Sequence, residues 1–343
     1  MPKPNPYRPY QPDPAQMALT PAVSGNDING LKNPDPHPPR LVYWAPDPDQ
    51  IPHGEMQRWF YTVQPDAPAL LAERAARQTI LEAPLPEVAA EQVTRAPREW
   101  TTLLDGFVEA GLCEKTGVAE MQDEWCYEGR SVSQSRVIML GVRHDYARLS
   151  QAPEVEAGAE VIRQYGRAEH AAKQAAGWLR QEGWAAEPVT GPMTGPMTGD
   201  FTLIPPALAC GFGELGKHGS IIDRDLGANF RLSAVLTDAP FAPTPPREHG
   251  IDAFCANCRI CEDACPPEAI FAEKQQVRGA SKWYVNFDKC LPFFNERHDC
   301  EICFAVRPST KRPDIGSEAP YAQRLKPERS IGVGHADVRR SQL

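Results

Sequence analysis

Seven of the ten cysteines fall within the 49 residues from Cys255 to Cys303. Thiols packed that closely along a chain either pair as disulfides or hold metal. Disulfide scaffolds belong mostly to short secreted chains, and a 343-residue chain without an apolar leader is not of that kind. The tightest run, CANCRICEDACP, sets Cys255, Cys258, Cys261 and Cys265 before Pro266. C-x2-C-x2-C-x3-C-P is the bacterial iron–sulfur spacing, in which three thiolates hold one cluster and the fourth serves the other. A tight turn aims three sulfurs at one cubane, and the proline then directs Cys265 away. A structural zinc site asks instead for two separated C-x2-C pairs.

Cys290, Cys300 and Cys303 form a second group, and with Cys265 they supply four thiolates, enough for a [4Fe–4S] cluster. The first site is then one ligand short, because Arg307 stands where a matching second motif would carry its last cysteine. A guanidinium does not deprotonate to ligate iron. Three arrangements answer the shortfall: a [3Fe–4S] cluster, a [4Fe–4S] cluster with a non-cysteine ligand, or a remote cysteine. His298 is a ligand in principle, but beside Asp299 it reads as a surface residue. Cys113, Cys126 and Cys210 read first as buried apolar thiols.

Fourteen of the 36 prolines lie in the first 52 residues. Proline has no amide donor and a fixed φ, so residues 1–65 are expected to be an extended arm, free of regular helix and central strand. Asp66–Ala83 and Pro97–Leu112 carry helical spacing, the second stopped by Gly111, and Glu154–Gly183 reads as a long helix with a break near Gly166. KTGVAEM and SRVIMLGVR read as strands, the second an apolar run of the kind buried on both faces. The expectation is an α+β chain: a core over 66–245, a ferredoxin-like two-cluster module over 246–312 and a tail over 313–343. GPMTGPMT, residues 191–198, reads as an exposed loop. A net charge of −9 without a basic run argues against nucleic acid and anionic membrane as partners. No stretch approaches a membrane span, and the start shows no signal core or twin-arginine pair, so a cytoplasmic location is expected.

Ahead of the cysteines lies ALACGFGELGKHGSIIDRDLGANFRLSAVLTDAPF, residues 207–241. Its glycines would let backbone lie flat against a large planar ligand. No dinucleotide fingerprint or P-loop is present. Gly211-Phe212-Gly213-Glu214-Leu215-Gly216-Lys217, then Gly227, Arg231 and Thr237-Asp238, then the Cys255 motif, resemble the cobalamin-dependent reductive dehalogenases and, more distantly, the epoxyqueuosine reductases. The likeness runs from about Trp100 to Pro308 and is specific in its last hundred residues.

The resemblance implies a nitroreductase-like α/β core that binds a corrinoid base-off, with Gly211, Gly213, Glu214, Leu215 and Gly216 as cofactor-contacting residues and the clusters as its electron supply. It implies reductive dehalogenation of a small organohalide, electrons arriving from an external ferredoxin, flavodoxin or reductase. It also implies a tyrosine proton donor, matched by Tyr165 with Tyr146 next, and a basic activator, matched by Lys217. A cation beside a phenol would stabilise the phenolate and lower its pKa. Asp35 and His37 lack the glycine of a D-x-H-x-x-G motif, and the likeness does not require one. The alternatives are a tRNA-modifying epoxyqueuosine reductase and a plain iron–sulfur electron carrier.

Overall fold

In the computed structural model, which describes residues 5–190 and 200–306, the proline-rich segment is not free of helix. Short helices α1 (Pro14–Met17), α2 (Gly25–Ile28) and α3 (Gly54–Phe60) punctuate it. Proline is tolerated in a first helical turn, where its missing N–H has no partner anyway, and Pro14 takes that place with Asp13 as cap. Next come α4 (Pro68–Glu82), α5 (Pro97–Leu103) and α6 (Asp105–Glu109), so the single helix expected over 97–112 is two. Gly111, at φ +71°, follows α6 as a left-handed stop.

Strands β1 (Lys115–Glu120) and β2 (Arg136–Arg143) form an antiparallel pair, with Lys115 opposite Gly141 and Glu120 opposite Arg136. After α7 (Tyr146–Leu149), the 27-residue α8 (Val155–Gln181) runs unbroken. Gly166 needs no break, because a Cβ there would meet only ordinary contacts at 3.5 Å or more. Then come β3 (Ala186–Thr190), α9 (Ile204–Ala209), β4 (Glu214–Leu215), β5 (Ile221–Ile222) and β6 (Phe230–Thr237). The main sheet has the order β1-β2-β6-β3, antiparallel throughout.

The period-2 alternation of strands sorts β2 into two cores. Ile138, Leu140 and Val142 face one with Trp100 and the alanine stripe of α8 (Ala168, Ala171, Ala172, Ala175, Ala176). Val137 and Met139 face the other with Phe212, Phe230 and Ala207 of α9. Alanine at helical spacing lets α8 lie close on the sheet, which holds its other positions steady for use elsewhere.

The chain continues through α10 (Ile251–Asn257), α11 (Ile260–Ala264), the hairpin β7 (Gln275–Val277) and β8 (Ala280–Lys282), α12 (Phe287–Glu296) and α13 (Ile302–Ala305). The arm is bound to this part. Asn26 donates to Asn286 Oδ1 and Asp288 Oδ2 at 2.9 and 2.8 Å and accepts from the Phe287 amide. Gln16 and Tyr43 both hydrogen-bond Asn295. Arg8 donates to the Cys265 carbonyl. Among the described residues no helix is long and apolar enough to cross a membrane. The GPMTGPMT repeat, Arg307 and the tail lie outside the described residues.

Candidate functional site

The cysteine run folds as two short helices that stop at their thiols. α10 gives way at Cys258, whose amide donates to the Phe254 and Cys255 carbonyls, and α11 gives way at Cys265. Cys265 turns into the wall of a cavity of about 670 Å³, where Cys290 of α12, Cys300 and Cys303 join it. Cys255, Cys258 and Cys261 are not in that wall; Cys255 is buried with Trp283 and Ile222, and Cys261 packs beside Cys265. The four thiols grouped from the spacing thus share one cavity wall, with Cys261 packed against them from behind and Cys255 in a neighbouring cluster. All ten cysteines are free of disulfides. Cys113, Cys126 and Cys210 lie in the two sheet cores, and burial pushes Cys113 and Cys210 up to about 12.

Burial pushes the four wall thiols up as well, Cys290 to about 12, and like-charge repulsion among them adds to this for Cys290, Cys300 and Cys303. Four such groups reach the thiolate form together only where positive charge sits between them, which is what bound iron supplies. This donor set therefore fits an iron–sulfur cluster. Among the described residues no three Cys, His, Asp or Glu side chains close on one point as the ligands of a single ion do.

Cys300 sits in an unusual turn. His298, Asp299, Cys300 and Glu301 all have positive φ, from 45° to 81°. Left-handed backbone costs a non-glycine residue on the order of 1 kcal/mol, so four in succession persist only where packing over-determines them. Gly158 of α8 supplies part of that packing: a Cβ there would stand 2.6 Å from His298 Cβ. His298, expected at the surface, is instead buried because the turn folds inward against α8, and among the described residues its ring nitrogens have no hydrogen-bond partner. The same turn carries Asp299 and Glu301 into the cavity wall.

Facing them is Arg231 of β6, which ion-pairs with Glu301 and lines the cavity. Its guanidinium lies 5.0 Å from the centre of the Tyr165 ring, and that of Arg77 lies 4.9 Å from it. Tyr165 is therefore placed by α8 directly beneath a cation in the wall, without being in the wall itself. Burial raises its pKa, outweighing Arg231 and Arg77, so the expected lowering of the phenol does not occur in the resting structure. Burial likewise raises Asp299 to about 7 against the pull of Arg231. Tyr146, the alternative, donates to the Ala305 carbonyl at 3.4 Å.

Lys217 is buried elsewhere, 3.5 Å from Glu262 and 5.2 Å above the Trp283 ring, so the structure pairs Tyr165 with arginines and not with Lys217. The glycine segment also differs from its expected part. A Cβ on Gly213 (φ +110°) would stand 2.0 Å from the Ile222 carbonyl oxygen, one on Gly216 2.6 Å from Ile222 Cδ1, and one on Gly211 2.8 Å from the Pro245 oxygen. Gly211 and Gly213 thus fit the loop against the protein's own backbone, and Gly216 fits it against the Ile222 and His218 side chains. Glu214 accepts from the His249 and Ile251 amides at 3.2 and 2.5 Å, holding the start of α10. Of the five residues expected to touch a cofactor, Leu215 lines the cavity, joined by Gly219 and by Pro205 and Leu208 from α9. A second cavity of about 540 Å³ shares Asn29, Arg278 and Cys290 with the first. Together they match the size and mostly apolar lining of sites for large organic ligands.

Sequence reasoning passed over Asp299, Glu301 and the hairpin cations, and took Arg231 only as a motif letter. A signal existed: Arg231 is the one charged residue of strand β6, and Asp299 and Glu301 bracket a ligand-type cysteine.

No protein-family model matches the chain. It is 30% identical over 217 residues to a tetrachloroethene reductive dehalogenase of Desulfitobacterium hafniense, covering 59% of this chain and 38% of that protein. It is 32% identical over 98 residues to an epoxyqueuosine reductase of Alicycliphilus denitrificans, covering 29% and 24%. Its fold superposes with a TM-score of 0.64 on a solved reductive dehalogenase described as suggesting a mechanism for B12-dependent dehalogenation, at 18% identity, over 75% of this chain and 38% of that one. The likeness read from the motifs is thus found in whole-sequence comparison too, and the mixed α/β fold is that of solved reductive dehalogenases. The chain spans 38% of the length of this curated dehalogenase relative.

Proposed function

We propose that this chain is a corrinoid- and iron–sulfur-dependent reductive dehalogenase acting on a small organohalide. The observation that carries the reading is one cavity with a four-cysteine corner and a buried Arg231–Tyr165–Glu301–Asp299 array in and beneath its wall. The cysteine region is read as a ferredoxin-like module, with Cys265, Cys290, Cys300 and Cys303 holding one [4Fe–4S] cluster and Cys255, Cys258 and Cys261 supplying three ligands of the other. The sheet and its helices are read as a nitroreductase-like core, and Leu215, Gly219, Pro205 and Leu208 would hold the corrinoid, read as base-off. When bound, the clusters carry single electrons and the corrinoid supplies a low-potential cobalt able to break a carbon–halogen bond.

The overall change consumes two electrons and one proton and leaves halide and a C–H bond. Tyr165 is the proton source in this reading. Burial raises the pKa of its phenol above the ordinary tyrosine value. The two guanidiniums over its ring, rather than Lys217, then stabilise the phenolate. Arg231 also offers positive charge to the departing halide, and Glu301 keeps it aimed at the cavity. Phe294, Phe304 and Leu208 in the wall limit water. Electrons come from an external donor.

The test is anaerobic reconstitution with iron, sulfide and cobalamin, followed by metal analysis. One cobalt and seven to eight irons per chain are expected on this reading. A protein that takes up iron but never cobalt would be an electron carrier instead.

A further inference from the structure

The β7–β8 hairpin brings two cations to the cavity that the dehalogenation reading does not use. Arg278 occupies its turn at φ +49°, and Lys282 ends β8. Both are half-buried and line the 670 Å³ cavity, and Arg278 also lines its 540 Å³ neighbour. Among the described residues neither has a carboxylate within ion-pair distance; of the wall's own carboxylates, Glu301 is ion-paired with Arg231 and burial raises Asp299 to about 7. The hairpin is held rigidly by the arm. The Lys32 amide donates to the Gln276 carbonyl at 2.7 Å, the Arg278 amide to Gly30 and the Gly279 amide to Asn33, both at 3.1 Å. Gly279 is pressed so closely on Pro36 that a Cβ would meet it at 2.7 Å.

We propose that Arg278 and Lys282 form a subsite for an oxyanion, a carboxylate or a phosphate carried by the molecule that fills the cavity. Two half-buried cations facing one cavity without a carboxylate partner favour an anion there, and the arm fixes the hairpin that carries them in advance. Consistent with this, burial and then the neighbouring Arg278 lower Lys282 to about 8, and burial lowers Arg278. Asn29, also in the wall of both cavities, hydrogen-bonds the neighbouring Tyr284. The oxyanion has two possible sources: an acidic organohalide, or the phosphodiester of a corrinoid's nucleotide tail. The substrate source rests on the reading above; oxyanion binding itself does not.

The test uses the full-length, anaerobically reconstituted protein and two matched pairs of probes: 3-chlorobenzoate against 3-chlorobenzamide, and cobalamin against cobinamide, which lacks the phosphodiester. Wild type is expected to favour the anionic member of at least one pair by about tenfold, the scale of one charge-assisted contact. The R278Q/K282Q double variant is expected to abolish that preference while the uncharged member's affinity stays within about twofold. Loss in the benzoate pair assigns the substrate, and loss in the cobalamin pair assigns the tail. Wild-type affinities within about twofold in both pairs would overturn the proposal, and that comparison needs no variant to fold. So would a double variant that keeps the preference. Absent halide release with the anion preference intact would instead count against dehalogenation alone.

Discussion

At the scale of residues, the account turns on Tyr165 and the arginines around it. Replacing Tyr165 by Phe removes one hydroxyl and keeps the ring between the guanidiniums, so folding and cofactor content should survive. Turnover should fall by about 100-fold or more, the usual contribution of a positioned acid. Steady-state halide release alongside iron and cobalt content checks this, and unchanged turnover with full cofactor would remove Tyr165 from the mechanism. K217Q should act differently, since Lys217 is held by Glu262 and Trp283: turnover should change by less than about tenfold. The grouping of Cys265 with Cys290, Cys300 and Cys303 in one wall was legible because cysteine spacing is written along the chain. Arg231 as the partner of Tyr165 was not, because strand β6 and helix α8 meet only through tertiary packing. The reversal of the expected pKa shift has the same origin, since burial is invisible in the residue string.

At the scale of elements, small residues decide how closely segments approach. G213A should be severely destabilising, because a Cβ would stand 2.0 Å from the Ile222 oxygen at φ +110°. G106A, with nothing within 4 Å in helix α6, should be neutral or stabilising by about 0.5–1 kcal/mol. Thermal denaturation of the two variants side by side separates the cases, and similar melting would contradict the packing account. The arm makes its own prediction. N26A removes the bonds that fix the start of α12, the helix of Cys290. Iron loss to a chelator should then quicken by about tenfold. Strands β1 and β2 and helix α4 were legible from periodicity, whereas the short arm helices were hidden by the prolines that start or flank them. The hairpin carries the pH prediction. Lys282 is charged below about 8, so affinity for an anionic ligand should be held at pH 7 and fall as pH rises past 8. Arg278 is the charged group acting on it and stays protonated throughout. K282R should flatten that fall, and an uncharged ligand should show none in either protein.

At the scale of the whole molecule, the arm, the sheet and the cysteine region each supply one wall or support of a common cavity. α8 joins them, with its alanine face on the sheet and Gly158 and Tyr165 beside the Cys300 turn. That arrangement gives a chain matching 38% of its relative's length both a thiol corner and a buried tyrosine between two arginines. Fold class was legible at this scale because a two-sided apolar strand and a long amphipathic helix admit few arrangements; the cavity was not, since its walls come from segments as far apart in the chain as Asn29 and Phe304. The most direct measurement is halide release from an organohalide by the full chain reconstituted with iron, sulfide and cobalamin under a low-potential reductant. The account predicts release of one halide per two electrons consumed, lost when cobalamin is omitted and sharply reduced in Y165F. Cobalamin-independent release, or none from protein that retains both iron and cobalt across neutral and acidic organohalides, would contradict it.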